Sequence, residues 1–261
     1  MKNLKERVRK GDTLFGCFLG LGSALTAEIM GMAGYDWTLI DLEHGAGGER
    51  EALQQLQALE HTSAATIVRV ESNARQRAHR VLDLGAHGIM FPRIDTASEA
   101  ADAVAAMRYP PEGVRGVALA NRACEFGSAY RPYMQGASDS LLCVVQVETE
   151  ASVGNVEDIA AVDGVDVLFI GPSDLSQSLG VFGEFDHPRF VAAVKRVAEA
   201  AHRHGKAIGI LLPKPEDFDR YHALGFRFIA SGADGPLLNN AARSLVRTLH
   251  NSLDRQYAGV R

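Results

Sequence analysis

The sequence contains few cysteines, and their arrangement argues against two classes of protein. Cys17, Cys124 and Cys143 are odd in number and include no C-x-x-C pair. A disulfide framework needs an even set of cysteines, and a zinc or redox motif needs them closely spaced. We therefore expect ordinary thiols in a reducing compartment.

Long apolar runs and an excess of basic residues are also missing. No run reaches the roughly 18 apolar residues of a membrane span, and the N-terminal stretch lacks the apolar core of a signal peptide. The net charge of −5 and the pI near 6.0 disfavour nucleic-acid and membrane-surface partners, which select a basic face. We expect a cytoplasmic protein that binds neither nucleic acid nor membrane.

The two common glycine-rich phosphate motifs do not occur. No G-x-G-x-x-G follows the first candidate strand, and no G-x-x-x-x-G-K-[ST] is present anywhere. Their absence disfavours a nucleotide-binding fold, and we expect no organic cofactor.

What the sequence does contain is a regular alternation of short apolar runs and helical patterns. The candidate strands are Leu14–Leu19, Trp37–Leu42, Thr66–Val70, Gly88–Pro92, Leu141–Val147, Val165–Ile170, Lys206–Leu212 and Phe226–Ser231. The main candidate helices lie near Ala24–Ala33, Glu49–His61, Ala74–Leu84, Ser98–Met107, Val153–Ala161, Pro188–His204, Pro215–Leu224 and Gly235–Asn251. Near-continuous apolar strands that alternate with helices are typical of parallel βα units. Eight such units without a linker predict a single-domain α/β protein, a (β/α)8 TIM barrel over residues 1–261, rather than an open doubly wound sheet.

One segment interrupts this alternation. Residues 109–140 form a stretch rich in proline, glycine and arginine after the fourth βα unit. We predict a long loop here, and a loop of this length in a compact domain is usually functional or part of an interface.

Two apolar runs end in a carboxylate. Glu148 follows the run that ends at Val147, and Asp174 follows the run that ends at Ile170. A barrel brings the carboxyl ends of its strands together at its catalytic face, so both carboxylates are expected there. Two hard oxygen ligands completed by water suit Mg²⁺ or Mn²⁺. The open alternative is that each carboxylate caps a helix or closes a turn.

Three further ionisable residues lie at predicted strand ends. Asp41 could accept a hydrogen bond from one imidazole nitrogen of His44 and leave the other for proton transfer, or His44 could be a solvated loop residue. Arg69 lies between two valines and needs an anionic partner, which could be Glu71 or a carboxylate of a neighbouring strand. Its alternative role is to hold a keto oxygen and stabilise the negative charge of an enolate.

The remaining predicted strand ends and turns supply candidate substrate contacts. These candidates are Phe18, Gln146, Gly171, Pro172, Ser173, Leu211 and Leu212. Backbone N–H groups exposed in the turn from Gly171 to Asp174 could bind a carboxylate. Together with a metal ion, an arginine and a histidine, this set suits a small 2-oxo acid chelated through its keto and carboxylate oxygens.

Four ordered segments carry a resemblance to a known family. They are residues 36–44 (DWTLIDLEH), 108–116 (RYPPEGVRG), 146–149 (QVET) and 164–176 (GVDVLFIGPSDLS). In these motifs, the chain resembles the HpcH/HpaI family of class II pyruvate-dependent aldolases. The likeness extends over about residues 14–249.

The resemblance implies a metal-dependent aldolase on a (β/α)8 barrel and assigns roles to residues. Glu148 and Asp174 would hold a divalent ion, either Mg²⁺, Mn²⁺ or Co²⁺, that acts as a Lewis acid on the substrate. His44 with Asp41 would form the acid/base pair. Arg69 would stabilise the enolate.

The resemblance also implies an assembly. Family members commonly form homohexamers, as trimers of dimers, and exchange the C-terminal helix between subunits. The segment Gly235–Asn251 would then lie at an interface, and Asp83 would reach a neighbouring subunit's site.

The implied reaction is the reversible cleavage of a 4-hydroxy-2-oxo acid, either a 2-keto-3-deoxy sugar acid or a hydroxy-oxo-dioate. The products would be an aldehyde and pyruvate or hydroxypyruvate, with the pyruvate carboxylate bound by the backbone around Ser173. Several relatives carry alanine where this chain has Ser173, and tryptophan where it has Phe18. Our hypothesis is that the Ser173 hydroxyl favours hydroxypyruvate as the donor.

Three other functions stay open. A related barrel could cleave an acyl-CoA thioester or rearrange phosphoenolpyruvate, but these need more basic residues around the mouth than the sequence clearly supplies. A non-catalytic barrel could bind a 2-oxo acid as a sensor. No DNA-binding or partner domain is evident in the sequence, which counts against a sensor.

Overall fold

Eight parallel strands close into a barrel in the order β1 to β8, with β8 paired back to β1. The computed structural model describes residues 3–258. The strands are β1 (Leu14–Leu19), β2 (Trp37–Asp41), β3 (Ala65–Arg69), β4 (Gly88–Phe91), β5 (Leu142–Val147), β6 (Val167–Ile170), β7 (Ala207–Leu211) and β8 (Phe228–Ala233).

Helices surround this barrel, and the first one precedes it. They are α1 (Leu4–Arg9), α2 (Ala24–Met32), α3 (Glu49–Leu59), α4 (Arg75–Asp83), α5 (Ala97–Met107), α6 (Tyr130–Ser140), α7 (Glu150–Gly154), α8 (Val156–Ala161), α9 (Pro172–Ser178), α10 (Pro188–Arg203), α11 (Phe218–Ala223) and α12 (Asp234–Ala258). Two short 3-10 helices, Arg122–Gly127 and Pro215–Asp217, lie between them. Within residues 3–258, no helix is both long enough and apolar enough to cross a membrane.

The interior of the barrel is filled by apolar side chains, and aromatic rings pack together within it. Trp37 stacks on Phe228 with ring centroids 4.1 Å apart, and Phe169 meets both rings edge-on. A side-chain carbon at Gly16 would lie closer than 3.0 Å to the Trp37 indole, so glycine is needed there for the indole to fit. The barrel is therefore a packed core rather than a pore, as expected for eight strands.

The outer face of the strands is covered by amphipathic helices. In α10, the buried residues Phe190, Val194, Val197 and Ala201 recur every three or four positions and form one face. Because both faces of each strand are covered, the strands are mostly apolar, and the charged residues Asp41 and Arg69 stand at the strand ends. This explains why the barrel could be predicted from apolar runs.

The predicted barrel is confirmed, and each observed strand end lies within two residues of its predicted position. The segment 109–140 is not one loop, because it contains the 3-10 helix and α6. The apolar pair Tyr133 and Ala137, four residues apart, anchors α6, and Pro132 lies in the first turn, where proline is tolerated.

Three helices differ from their predicted extents. The helix predicted at 153–161 is split into α7 and α8 at Asn155, whose φ of −98° and ψ of 9° are not helical. The short helix α9 replaces the predicted turn after β6, because Pro172 starts it with a preset φ. The last helix continues past Asn251 to Ala258.

Candidate active site

Arg69 and Asp41 form a buried ion pair at the ends of two neighbouring strands. They are register partners as the last residues of β3 and β2. The Arg69 Nε donates to Asp41 Oδ1 at 2.9 Å, and Nη2 donates to Oδ2 at 2.6 Å. This two-pronged geometry is the strongest that a guanidinium makes with a carboxylate. The alternative in which a neighbouring strand supplies the partner is therefore confirmed, and Glu71 instead pairs with Arg77.

Glu43 joins this pair from the loop after β2. Its Oε2 lies 3.1 Å from Arg69 Nη1, and Gln146 Oε1 lies 3.5 Å from the same nitrogen. The Phe18 ring lies against the guanidinium, 5.3 Å from its carbon. Burial raises the pKa of Glu43, and the charge of Arg69 opposes that shift. Burial alone would lower the pKa of Arg69, but the hydrogen bonds and charge of Asp41 more than offset it, so the net pKa is raised.

Glu148 is a desolvated carboxylate held by two hydrogen bonds. Its Oε1 accepts from the backbone N–H of Arg93 at 2.8 Å, and its Oε2 accepts from Gln146 Nε2 at 2.8 Å. Glu148 as a whole residue is only 2% exposed to solvent. Burial raises the pKa of Glu148 to about 7, with further increases from the charges of Asp174 and Glu43. The oxygens are thus fixed in direction, with two further carboxylates and the Arg69 cation close enough to influence them.

Arg93 adopts an unusual backbone conformation to make its bond to Glu148. Its φ of 49° lies in the left-handed region, which costs energy for a residue with a side chain. Sequence reasoning did not assign Arg93 a role in the site, because the side-chain type gives no signal of a backbone donor.

Gly171 lets the loop after β6 pass close to Glu148. A side-chain carbon at this position would lie closer than 3.0 Å to Glu148 Oε2. Gly171 is the N-cap of α9, and Asp174 lies in the first turn of that helix with its side chain exposed. The chain thereby brings Asp174 to the same end of the barrel as Glu148, as predicted.

A cavity of about 340 Å³ opens at this mouth of the barrel. It is lined by Phe18, His44, Arg69, Gln146, Phe169, Gly171, Pro172, Ser173, Asp174 and Leu211. Nine of these ten were predicted to be site residues, and Phe169 was missed because it lies inside an apolar run. Glu43 was also missed, although its place between Asp41 and His44 was a usable signal.

His44 lies at the rim, but its ring is not bonded to Asp41. Its side chain is 66% exposed, and Nε2 lies 3.8 Å from Glu43 Oε2. Asp41 Oδ1 instead accepts from the backbone N–H groups of Glu43 and His44, at 3.1 and 3.2 Å. The predicted imidazole–Asp41 hydrogen bond was wrong in this structure, because Arg69 takes the Asp41 carboxylate.

Two other predicted residues lie away from this cavity. Leu212 is buried in the layer between barrel and helices, because successive strand residues point to opposite faces and Leu211 already faces the cavity. Asp83, the last residue of α4, accepts from the buried Arg115 at 2.9 Å. A role for Asp83 in another subunit's site stays a prediction.

The residues at the mouth fit a divalent metal ion with two protein ligands. Among residues 3–258, no group of three or more His, Cys, Asp or Glu is arranged to hold a metal. A metal here would be held by Glu148 and Asp174, with water and substrate completing the shell, an arrangement that Mg²⁺ tolerates. Burial is the main cause of the raised pKa of Glu148, and the charges of Asp174 and Glu43 add to it, so a cation beside Glu148 would relieve that added repulsion. The hard oxygen donors and that excess of negative charge support the fit.

Comparisons with known proteins identify the family of this chain. The family model described as HpcH/HpaI aldolase/citrate lyase matches residues 14–241. A hydroxypyruvate/pyruvate aldolase of Chromohalobacter salexigens is 44% identical over 237 residues, 90% of this chain and 93% of the relative. A 5-keto-4-deoxy-D-glucarate aldolase of Klebsiella pneumoniae is 39% identical over 230 residues, 88% of this chain and 90% of the relative.

A solved structure shares both fold and sequence. The crystal structure of an HpcH/HpaI aldolase/citrate lyase family protein from Burkholderia cenocepacia superposes with a TM-score of 0.92 at 39% identity. The superposition covers 96% of this chain and 100% of that one. With its barrel, its mouth residues and these matches, the chain belongs to the HpcH/HpaI aldolase/citrate lyase family.

Proposed function

We propose that this protein is a divalent-metal-dependent aldolase. It would reversibly cleave a 4-hydroxy-2-oxo acid, such as a 2-keto-3-deoxy sugar acid, into pyruvate or hydroxypyruvate and an aldehyde. The observation that carries the proposal is that Arg69 and Asp174 line one cavity at the barrel mouth, and that Glu148 is buried directly beside its lining residues Gln146 and Gly171. The relatives named as aldolases of 2-oxo acids support it.

Arg69 is suited to hold the oxygen on which negative charge develops. Its contacts to Asp41, Glu43 and Gln146 occupy four of its five N–H groups, which leaves one Nη2 N–H without a protein acceptor in the described chain. A preorganised donor in a buried site stabilises an enolate oxygen more than the ground-state ketone. Asp41 keeps the guanidinium in place.

The start of α9 is suited to bind the substrate carboxylate. The backbone N–H groups of Ser173 and Asp174 belong to the first helical turn, where no intrahelical acceptor exists, whereas Leu175 already donates to Gly171. A divalent cation held by Glu148 and Asp174 would supply a Lewis acid for the keto group.

His44 is the candidate for proton transfer, because its imidazole lines the cavity and is open to solvent. Its orienting partner in this structure is Glu43 rather than Asp41, at 3.8 Å. We propose that Glu43 helps to position the imidazole, so that Glu43→Gln would lower turnover while His44→Asn would abolish it.

The test of the proposal is exchange of the pyruvate methyl protons with deuterated solvent, followed by NMR. Chelator-treated protein is compared with protein given Mg²⁺, Mn²⁺ or Co²⁺. We expect exchange only with metal, and its loss in Arg69→Ala but not in Arg50→Ala, an exposed arginine on α3. Absence of exchange with both pyruvate and hydroxypyruvate, with and without metal, would contradict the aldolase proposal.

The donor preference depends on Ser173 in our proposal. This residue is exposed in the cavity, and its hydroxyl has no protein partner within residues 3–258. A hydroxyl there can hydrogen-bond the extra hydroxyl of hydroxypyruvate. Ser173→Ala should shift the ratio of hydroxypyruvate to pyruvate turnover toward pyruvate, and an unchanged ratio would refute the hypothesis.

We also propose a homo-oligomer, a hexamer formed as a trimer of dimers. Between Pro236 and Leu253, every side chain of α12 is exposed, including Leu245 at 68% and Leu249 at 70%. A second apolar row on α2 includes Leu25 at 72% and Met32 at 70%. Such rows on one monomer indicate an interface.

Light scattering on the purified protein tests this assembly. Leu245→Lys combined with Leu249→Lys should yield smaller particles, because a buried lysine without a partner is costly at an interface. The matched control is Asn240→Lys on the same helix, which should leave the assembly intact. A native monomer would contradict the proposal.

We propose a cytoplasmic location because of the state of the three cysteines. Cys17, Cys124 and Cys143 are all free and buried. Burial raises the pKa of Cys17 to about 12, which leaves it an unreactive thiol. These properties support the cytoplasm, where thiols stay reduced.

A further inference from the structure

A second cavity, of about 410 Å³, lies at the opposite end of the barrel from the mouth. Its walls are the turns that lead into β6, β7 and β8, together with α1. Its charged residues are Lys5, Arg9, Arg108, Asp163, Asp166, Lys206 and Arg227. Five cations against two carboxylates make it a positive cavity in a chain whose net charge is −5.

One pair in this cavity is purely structural. Lys5 Nζ lies 2.9 Å from Asp166 Oδ2 and donates to the carbonyl oxygens of Ser138 and Leu141, each at 3.0 Å. Three acceptors match the three N–H groups of an ammonium. Lys5 therefore fixes α1 to the barrel, and both it and Asp166 are unavailable to a ligand.

The other cations keep unused donors. Lys206 Nζ donates to the carbonyl of Val162 at 2.9 Å, which occupies one of its three N–H groups. Arg227 uses only Nη1, on the carbonyls of His222 and Phe226 at 2.8 and 2.9 Å. In the described chain, neither Lys206 nor Arg227 has a carboxylate in ion-pair contact.

The third cation, Arg108, is only weakly neutralised. Both of its Nη atoms lie 3.2 Å from one oxygen of Asp163, whose side chain is 92% exposed and so well screened by water. Burial lowers the pKa of Lys206, and the charges of Asp163 and Asp166 oppose this shift. A half-buried ammonium of this kind is stabilised by an anion that enters the cavity.

We propose that this basal cavity binds a small anion with several negatively charged oxygens, held by Lys206, Arg227 and Arg108. The ligand class is an organic phosphate or a polycarboxylate, which share that chemistry. A guanidinium presents a planar fork to either group, and an ammonium adds a point charge. The proposal does not rest on the aldolase function, because the site lies at the far end of the barrel.

The experiment is titration calorimetry on the intact, chelator-treated protein at constant ionic strength. The probes are inorganic pyrophosphate and tricarballylate, which separate the two ligand sources. We expect saturable binding of at least one probe, weakened about tenfold or more by Lys206→Gln and by Arg227→Gln, since each removes charge-assisted hydrogen bonds. Binding of pyrophosphate alone assigns a phosphoryl ligand, and binding of tricarballylate alone assigns a carboxylate ligand.

Matched controls separate this site from general charge effects and from the mouth. Lys195→Gln and Arg50→Gln remove exposed cations outside the cavity and should change the affinity less than twofold. Glu148→Gln should leave it unchanged, which distinguishes the basal site from the mouth. Absence of saturable binding at millimolar concentrations of both probes, or equal weakening by the control variants, would overturn the proposal.

Discussion

The two ends of the barrel carry charges of opposite sign. At the mouth, Arg69 lies among the carboxylates of Asp41, Glu43 and Glu148, and Asp174 adds a fourth carboxylate beside Glu148. At the base, the cations of the second cavity outnumber its carboxylates. Both sets belong to one parallel barrel, in which every strand runs from base to mouth.

The two ends of the barrel differ in the groups that their charged side chains contact. At the base, Lys5 and Arg227 donate to backbone carbonyls, so part of their hydrogen bonding is structural. At the mouth, burial raises the pKa of Glu148 to about 7, and the charges of Asp174 and Glu43 add to the shift. Buried like charges cost stability and are retained where they serve a site. Under the proposed function, the excess negative charge at the mouth would serve metal binding, and the charge at the base would not.

The largest effect should come from Glu148→Gln. Loss of the charge should remove metal binding and lower metal-dependent proton exchange roughly 10³-fold or more, about 4 kcal/mol of transition-state stabilisation. Metal affinity measured by calorimetry and exchange measured by NMR check this. The control Glu150→Gln removes an exposed carboxylate two residues away and should behave as the native protein. Native-like exchange in Glu148→Gln would show that the mouth is not the metal site.

The second effect is a pH dependence of stability in chelator-treated protein. Because the folded-state pKa of Glu148 is raised from 4.5 to about 7, the folded state binds the proton more tightly than the unfolded state. Its contribution is fully present below pH 4.5 and is lost as pH rises through 7. Relative to Glu148→Gln, the native protein should lose up to about 3 kcal/mol across this window. Denaturant unfolding at several pH values checks it, and parallel profiles for the two proteins would contradict it.

A smaller effect is expected from Gly171→Ala. The added carbon would push against Glu148 Oε2 and turn the carboxylate away from Asp174. Misplacing a ligand through its support costs about 10- to 100-fold in metal affinity. Gly154→Ala is the control, because nothing lies within 4 Å of its added carbon. Equal metal affinity in both variants would show that Gly171 is not required for close approach.

The smallest effect on catalysis should come from the base. Lys206→Gln should leave metal-dependent proton exchange within about twofold of native when no anion is added, since independent distant sites act additively. The NMR exchange assay checks this. A large loss of exchange would mean that the two ends of the barrel are coupled, which would contradict the prediction that they act independently.

Most residues at the barrel mouth could be predicted from the ends of the candidate strands. The wrong predictions, such as the one for Leu212, have physical causes. Sequence order places Asp41, Arg69, Glu148 and Asp174 at one face once eight parallel strands are assumed. It could not choose the partner of Arg69, because that choice depends on the register that sets Asp41 opposite it. Leu212 was misassigned because a shift of one residue reverses the face of a strand.

Some features carried no local signal at all. The backbone donor of Arg93 depends on its φ of 49°, which only the packed loop imposes. The helix α6 was hidden because its sequence contains Pro132 and Gly136, and tertiary contacts of Tyr133 and Ala137 outweigh these low propensities.

The amino-acid sequence by itself determined the barrel, the strand ends that meet at its mouth and the types of the ionisable residues that gather there. Hydrophobic periodicity and chain order are local properties, and a parallel barrel converts them directly into position. Only the tertiary structure decided which carboxylate pairs with Arg69. It also brought Glu148 so close to Gly171 that no side chain fits there, and it gathered cations at the base of the barrel. These features depend on distances between segments far apart in the chain, and no local pattern encodes such distances.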